Sequence, residues 1–429
     1  MRKRDFWIAA SCILAGLGLF PLFSSGASPA STEKVLYSFA GGTDGENPSS
    51  DLTLDSEGNL YGTTTYGGEV TCVYHGETFP GCGTVFELKR TADGWSEQIL
   101  YRFNINGNSS GGALPAAGVI FDKAGNLYGT TEGIPNECGQ GNVFELTPNS
   151  QGAWTETVLY SFTCEGGGYN PATDLVFDDK GDLFGTAGNI VFELLPRADG
   201  SWEEVTLHTF TGKPDGAIFS SGVLLDSQGH VYGMTQSGGT GTCMYNRKTF
   251  GCGIVYELIP SAEGAGHWAE NVVYNFARGG GFAVNPSGGL ILDRPGHLFI
   301  TTAAGGDGLG TVAELTRSQK GWEQSVLYRF YGGPDGNQPA GRLVINAGVG
   351  FGVTNRGGTN GLGTVFGLKG LDTGGWKAGV LYSFAGGSDA RNPTTGLVSD
   401  SQGNLYGTTI AGGVQGCYEG CGTVYEVTP

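Results

Sequence analysis

The hydrophobic and polar positions of the chain follow one pattern that recurs seven times. Each copy opens with an apolar run that ends in Asp or Asn, such as Leu52–Asp55, and continues with a run of the type Leu60–Thr64. A third run resembles Thr84–Leu88, and a fourth follows a tryptophan, as in Trp95–Phe103. Runs of about five residues rich in β-branched and aromatic side chains, separated by turn residues, indicate strands. The pattern therefore predicts four short strands in each copy.

The acidic residues that recur in every copy are predicted to serve the fold. Asp55 opens an Asp-Ser-Glu-Gly segment, and Asp at the first and Gly at the fourth position are typical of a type I turn. Glu87 recurs in the same way in the third run. Because one active site needs one constellation of residues, repetition in every copy favours a structural role for both sets.

The repeat is split between the two ends of the chain. Residues 35–39 match only the tail of a copy, and the last copy stops near residue 427 without that tail. Joined together, the two fragments complete one unit. We therefore expect an all-β, seven-bladed β-propeller with four antiparallel strands per blade, in which residues 35–39 form the outer strand of the last blade. A parallel β-helix is the structural alternative, but its repeats are shorter.

Three recurring motifs carry a family resemblance. The segments Val-Leu-Tyr-Ser-Phe, Gly-Asn-Leu-Tyr-Gly-Thr-Thr-x-x-Gly-Gly and Gly-Thr-Val-Phe-Glu-Leu resemble the bacterial GloVer tandem-repeat family over nearly the whole chain after residue 30. The resemblance implies an exported repeat protein. It implies no known activity and assigns no functional residue.

The first 30 residues have the composition of an export signal. A basic start at Arg2–Arg4 precedes an apolar stretch at Phe6–Phe23 and small residues at Ser24–Ala27. We expect a signal peptide over residues 1–30, cleaved near residues 27–30, and one propeller domain over residues 33–429. The alternative is an uncleaved membrane anchor, since about 18 apolar residues can just span a bilayer. No membrane span is expected in the mature chain, which would be secreted, periplasmic or held at the cell envelope.

Eight cysteines follow this segment, and we expect them to form disulfides in an oxidising compartment. Their positions bracket loops on one face of the predicted ring, here called the top face, which carries the loops after the second and fourth runs. This placement predicts the pairs Cys72–Cys82, Cys138–Cys164, Cys243–Cys252 and Cys417–Cys421. A metal site is the alternative, but no Cys-x-x-Cys pair is present.

The charge of the chain limits its partners. Acidic residues outnumber basic ones 41 to 23, and a net charge of −18 argues against a nucleic acid as partner. On the top face, however, the later blades carry seven bases, which predict a local anion-accepting patch for a carboxylated glycan or an acidic protein loop. Those bases are Lys213, Arg247, Lys248, Arg278, Arg342, Arg356 and Arg391. The alternative is scattered surface charge held in weak ion pairs.

Two of the cysteine-bracketed loops carry aromatic residues. Tyr74, next to His75, and Tyr245 could contact a sugar or a protein partner, or their rings could cover the edge of their own core. We take Tyr74, His75, Tyr245 and the bases above, except Lys213, as candidate ligand-binding residues.

The sequence contains no recognisable catalytic motif. The five histidines are spread thinly, no metal or other cofactor is expected, and Asp-Gly pairs give only a weak indication of calcium. We therefore predict an exported, monomeric, non-catalytic binding or scaffold propeller with a glycan or protein partner on its top face.

The alternative function is a carbohydrate-active lyase or hydrolase that uses His75, Arg342 and an acid. A polar cluster outside the repeat pattern at the top of the channel would favour the enzyme. A channel lined by small residues would favour the binding protein, and the relevant positions are Ser49, Ala116, Ala172, Ser220, Ser287, Ala340 and Thr394.

Overall fold

The structure is a computed structural model of the chain. It describes residues 31–429 apart from residues 70, 75–76, 105–111, 134–140, 164–167, 220, 246–247, 262–266, 278–282, 306–307, 373 and 414–415. The predicted signal peptide at residues 1–30 lies outside the described residues and stays a prediction. No helix within the described part of the chain is both long and apolar enough to cross a membrane.

Seven antiparallel sheets form the blades of a β-propeller, as the repeat predicted. Each sheet is given below from its inner strand, at the central channel, to its outer strand. Blades 1 to 3 consist of Thr53–Leu54, Leu60–Thr64, Thr84–Thr91 and Gly94–Arg102; Ile120–Phe121, Leu127–Thr131, Asn142–Pro148 and Trp154–Ser161; and Val176–Phe177, Leu183–Ala187, Ile190–Pro196 and Trp202–Thr209.

In blade 4 the inner strand is interrupted, so that five strands are present. Blades 4 to 6 consist of Gly216–Phe219, Leu224–Leu225, Val231–Gly238, Ile254–Pro260 and Trp268–Asn275; Ala283–Arg294, His297–Gly305, Thr311–Ser318 and Gly321–Arg329; and Asn337–Asn346, Val349–Arg356, Thr364–Gly370 and Trp376–Ser383. Blade 7 consists of Val398–Ser399, Leu405–Thr409, Thr423–Thr428 and Thr32–Ser38.

Short ribbons and a 3₁₀ turn lie on the top face in the described part of the chain. The paired ribbons are Gly45–Glu46 with Tyr66–Gly67, Cys72–Tyr74 with Glu77–Phe79, Met244–Tyr245 with Lys248–Thr249, and Ala390–Arg391 with Ala411–Gly412. A 3₁₀ turn covers Gly333–Asp335.

The N-terminal strand closes the ring. Thr32–Ser38 pairs antiparallel with Thr423–Thr428, from Thr32 opposite Thr428 to Ser38 opposite Thr423. The strand thus begins three residues before the predicted segment of 35–39. Phe39 follows it directly, is fully buried, and donates its backbone N–H to the carbonyl oxygen of Gly422 at 3.0 Å. The split repeat is therefore one continuous sheet in three dimensions.

The hydrophobic core lies between neighbouring blades. Where blade 7 meets blade 1, one cluster joins Phe39 and Tyr406 to Leu52 and Phe86. Trp95 of the outer strand of blade 1 packs edge-on against Tyr406, with ring centroids 6.0 Å apart. Each blade thus buries apolar side chains against its neighbour.

A glycine in the second strand leaves room for an aromatic ring of the third. A Cβ atom on Gly62 would lie 2.7 Å from Cζ of Phe86, closer than real Cβ contacts allow. The same clash would arise at Gly129 against Phe144 and at Gly407 against Tyr425. This packing explains why the Leu-Tyr-Gly-Thr-Thr run keeps its glycine.

The recurring acids form hydrogen bonds within the fold, as predicted. Oδ1 of Asp55 accepts the backbone N–H groups of Glu57 and Asn59, both at 2.8 Å. Tyr61 donates its hydroxyl to Glu87 at 2.9 Å, within the same network. These acids serve turns and strand pairing in blade after blade, so they are not candidates for a single functional site.

Three of the four predicted disulfides lie within the described residues and are formed. They are Cys72–Cys82, Cys243–Cys252 and Cys417–Cys421, and each closes a loop of the top face. Cys138 and Cys164 fall outside the described residues, so their pairing stays a prediction. The three disulfides are consistent with an extracellular or periplasmic location.

Candidate functional site

The inner strands of all seven blades enclose a central channel with a cavity of about 490 Å³. Small residues line it, as expected for five of the predicted positions: Ser49, Ala116, Ala172, Ser287 and Thr394. Ser220 lies outside the described residues, and Ala340 is not among the residues that line the cavity, which blade 6 reaches with Gly341 and Arg342. Apolar side chains of the inner strands, including Phe121 and Phe177, form part of the wall.

One position of the inner strand departs from the repeat in three blades. It directly precedes the apolar run, and in blades 1 to 7 it holds Asp51, Gly118, Asp174, Gly222, Gly289, Arg342 and Gly396. Glycine is thus usual there. Among the described residues that line the cavity, Asp51, Asp174 and Arg342 are the charged ones. A ring built from one register position therefore brings together two carboxylates and one guanidinium.

Both carboxylates reach back to the preceding blade. Oδ1 of Asp174 accepts the backbone N–H of Gly118 at 2.8 Å, and Oδ1 of Asp51 accepts that of Gly396 at 2.6 Å. Each bond joins an Asp to the equivalent glycine of its neighbour. The two acids are therefore held in fixed orientations by inter-blade hydrogen bonds.

Arg342 crosses blade 7 to reach blade 1. Its Nε lies 3.1 Å from Oδ2 of Asp51. A Cβ atom on Gly396 would lie 3.0 Å from both Arg342 Cγ and Asp51 Oδ2, so the absence of a side chain at Gly396 leaves room for the bridge. Arg342 is 48% and Asp51 15% exposed, as expected for groups that face a channel open to water.

The channel shifts the protonation of its charged groups. Burial, followed by the charge of Asp51, raises the pKa of the Asp174 carboxyl to about 6, although Arg342 and the Gly118 N–H act in the opposite direction. The charge of Asp51 holds the pKa of the Arg342 guanidinium above its usual range. The site thus combines a carboxyl that titrates near pH 6 with a permanent cation.

Arg356 and Arg391, the other candidate arginines that the structure describes, do not line this cavity. Nη2 of Arg391 lies 3.1 Å from a carboxylate oxygen of Glu419, and its Nε donates to Asn392. Arg356 is exposed at the edge of blade 6. Because Arg342 and Arg391 are each paired with an acid, these three residues do not form one continuous cationic patch.

The remaining candidate residues belong to the top-face loops. His75, Arg247 and Arg278 lie outside the described residues. The backbones of Tyr74, Tyr245 and Lys248 lie in the two ribbons beside the disulfides, and their side chains are outside the described part of the structure. Sequence reasoning placed Arg342 among the top-face bases and did not select Asp51 or Asp174 as candidates. An alignment of the seven copies at the residue before the apolar run shows these three charged residues at a position that is glycine in the other four blades.

The sequence matches a profile of the Gloeobacter/Verrucomicrobia repeat family over residues 22–191 and 241–429. The chain belongs to this family. The family match fits the seven repeated blades but assigns no activity. Segment 192–240, which includes the outer strand of blade 3 and the inner strand of blade 4, is not matched. No curated protein matches the chain.

Several solved structures are similar to this member of the repeat family in fold. The extracellular domain of BT4673 from B. thetaiotaomicron is 11% identical with a TM-score of 0.49, and the match covers 93% of this chain but 42% of that one. The chain thus spans less than half of that structure's length. PhoX of Pseudomonas fluorescens is 12% identical with a TM-score of 0.44, and the match covers 93% and 95% of the two chains.

A third solved structure belongs to a fungal protein. A Trichoderma reesei member of carbohydrate-active enzyme family AA12 is 12% identical with a TM-score of 0.40, and the match covers 94% and 97% of the two chains. Because the sequence identities are this low, the activities of these three proteins are not assigned to this chain.

Proposed function

We propose that this protein is an exported, non-catalytic binding propeller whose channel accepts a small polar ligand, such as one sugar unit of a glycan. The observation that carries the proposal is the cluster of Asp51, Asp174 and Arg342, which occupy one register position and face one cavity. Recurring acids elsewhere serve the fold, whereas these three residues break the repeat.

The size and lining of the channel suit a sugar. A cavity of about 490 Å³ falls in the range of small-molecule sites, which is roughly 300–1,000 Å³. Carboxylates accept hydrogen bonds from hydroxyl groups and a guanidinium donates them, so the three side chains can orient a polyol. Phe121 and Phe177 add apolar surface to the wall of the cavity, and their rings pack edge-on against Tyr61 and Tyr128.

Binding is favoured over catalysis because both carboxylates already have partners. Asp51 is held by Arg342 and by the Gly396 N–H, and Asp174 by the Gly118 N–H. Groups fixed in this way are preorganised for recognition at little entropic cost. The small residues around them leave space for a ligand.

A glycan array probed with the purified protein tests the proposal, followed by calorimetric titration of any hit. Arg342→Gln should weaken binding at least about tenfold, which corresponds to about 1.4 kcal/mol. Arg356→Gln, which removes an exposed arginine outside the channel, is the matched control and should bind as the wild type does. Equal loss in both variants, or unchanged binding by Arg342→Gln, would overturn the channel as the site.

The raised pKa of Asp174 supports a second candidate, a carbohydrate-active enzyme. A carboxyl with a pKa of about 6 beside a carboxylate resembles the division of roles between a general acid and its partner. Product analysis of each bound glycan decides between the two functions. Cleavage that Asp174→Asn abolishes while binding persists would establish the enzyme, and intact glycan after prolonged incubation would exclude it for that substrate.

A further inference from the structure

One further residue departs from the repeat in the outer strands of the blades. In six blades the outer strand carries a tyrosine one residue before Ser, Arg or Asn: Tyr37, Tyr101, Tyr160, Tyr274, Tyr328 and Tyr382. In blade 3 the equivalent residue is His208. The consequence of this change is clearest by comparison with the tyrosine sites.

At the junction of blades 7 and 1, tyrosine and two acids form one network. Tyr37 donates its hydroxyl to Oδ2 of Asp44 at 3.1 Å, and the backbone N–H groups of Ala40 and Gly45 hold the same carboxylate at 2.9 and 2.7 Å. Glu97, on the outer strand of the next blade, lies close enough for the charge of Asp44, after burial, to raise its pKa to about 7. A shared proton can thus relieve the repulsion between the two acids.

The junction of blades 3 and 4 has the same arrangement of acids and backbone donors, but a histidine takes the place of the tyrosine. Oδ2 of Asp215 accepts the N–H of Thr211 at 3.0 Å, and its Oδ1 accepts that of Gly216 at 2.8 Å. Glu270 takes the place of Glu97 on the next outer strand. Where the tyrosine hydroxyl would lie, Nε2 of His208 stands 3.4 Å from Asp215 Oδ2.

The imidazole nitrogen at this site has no hydrogen-bond partner. Nε2 of His208 is shielded from water and forms no hydrogen bond with a described group. Oε1 of Glu270 is buried in the same way as Oε1 of Glu97 at the junction of blades 7 and 1, so His208 is the residue that distinguishes this site. The nitrogen and one oxygen from each acid all lie within 4.8 Å of one another. His208 and Asp215 also fall in segment 192–240, where the match to the family profile is interrupted.

We propose that His208, Asp215 and Glu270 form a binding site for one divalent transition-metal ion, most suitably Zn²⁺. One imidazole and two carboxylates are ligands that zinc accepts, with bond lengths of about 2.0–2.2 Å. In a tetrahedron, such bonds place neighbouring ligand atoms about 3.4 Å apart. That value matches the distance between His208 Nε2 and Asp215 Oδ2. The fourth position is left for water.

The ion would join two blades and the loop between them. His208 belongs to the outer strand of blade 3, Glu270 to that of blade 4, and Asp215 to the connecting loop. The backbone N–H groups of Thr211 and Gly216 orient the Asp215 carboxylate before any ion arrives, in the manner of outer-shell partners of metal ligands. At this junction zinc would take the place of the hydrogen bond from tyrosine to aspartate that Tyr37, Tyr328 and Tyr382 form in their blades.

Titration of the purified, metal-stripped protein with ZnCl₂ tests the site. Calorimetry should give one Zn²⁺ per chain, and Co²⁺ should produce the visible absorption of a tetrahedral complex. Saturating Zn²⁺ should raise the melting temperature of the wild type, because a ligand that binds only the folded state stabilises it.

Three variants separate this site from adventitious binding. His208→Tyr installs the residue of the sister blades, and Glu270→Gln installs the residue that blade 5 carries at Gln324. Both should fold normally in EDTA and lose the stoichiometric Zn²⁺ and the thermal shift. His267→Gln removes an exposed histidine elsewhere in blade 4 and should keep both.

The proposal fails if the wild type binds no Zn²⁺ at one equivalent. It also fails if His208→Tyr binds Zn²⁺ as tightly as the wild type. Neither outcome bears on glycan binding in the channel, since the channel and the metal site share no residue.

Discussion

Phe39 provides the sharpest test of ring closure, because an equivalent phenylalanine exists in the middle of the chain. The ring of Phe39 lies 5.1 Å from Phe86 at an interplanar angle of 66° and 5.0 Å from Tyr37. Phe103 lies 5.1 Å from Phe144 at the same 66° and 5.1 Å from Tyr101. Both phenylalanines are 0% exposed. Their environments differ mainly in that Phe39 stands at the N-terminal end of the ring.

The magnitude follows from this burial. Returning a fully buried Phe side chain to water costs about 1.5–3 kcal/mol, and the cavity left behind raises the total for Phe→Ala to about 3–5 kcal/mol. If the N-terminal strand is an integral part of blade 7, Phe39→Ala should destabilise the protein as much as Phe103→Ala does.

Equilibrium unfolding in guanidinium chloride, with the disulfides intact, measures both variants against the wild type. We expect the two losses in free energy of unfolding to agree within about 1 kcal/mol. A loss below about 1 kcal/mol for Phe39→Ala, the size of an ordinary surface substitution, beside a loss of 3–5 kcal/mol for Phe103→Ala would refute ring closure.

Two further predictions concern protonation and disulfides. The folded-state pKa of Asp174, about 6, exceeds that of a free carboxyl, so the folded state holds this proton more tightly and the group contributes stability as the pH falls from about 7 to 4. As the pH falls over this range, the melting temperature of the wild type should therefore rise relative to that of Asp174→Asn. Identical pH profiles for the two proteins would contradict the shift. Reduction should remove about 2–3 kcal/mol of stability for each of Cys72–Cys82 and Cys243–Cys252, measured by unfolding with and without a reductant. Peptide mapping without reduction should also recover Cys138–Cys164, whereas a Cys72–Cys243 link would contradict the pairing scheme.

The repeat made the fold predictable because each copy contains the same kinds of turn and strand residues in the same order. Turn residues such as Asp55 and Gly58 mark the strand ends, and the split unit at Val35–Phe39 identifies how the ring closes. The full length of the closing strand was not predicted, although Thr32-Glu33-Lys34 aligns with Thr155-Glu156-Thr157 just before the recurring Val-Leu-Tyr-Ser-Phe motif. These three residues pair with Glu426–Thr428 at the other end of the chain. Long-range pairing of this kind depends on the closed ring.

The channel site was only partly predictable. Arg342 was a candidate because of its charge, but its partner Asp51 lies 291 positions earlier in the chain. The two side chains meet across the inner strand of blade 7, where Gly396 leaves room for them. No local pattern encodes that contact. The replacement of tyrosine by His208 was visible in the sequence, whereas the convergence of Asp215 and Glu270 on it required the ring geometry.

A crystal structure of the protein in complex with a glycan-array hit tests the central claim most directly. We expect a sugar ring inside the channel, with hydroxyl groups within hydrogen-bond distance of Arg342 and Asp174. A ligand bound instead to the stapled ribbons at Tyr74 or Tyr245, with the channel empty, would contradict the account.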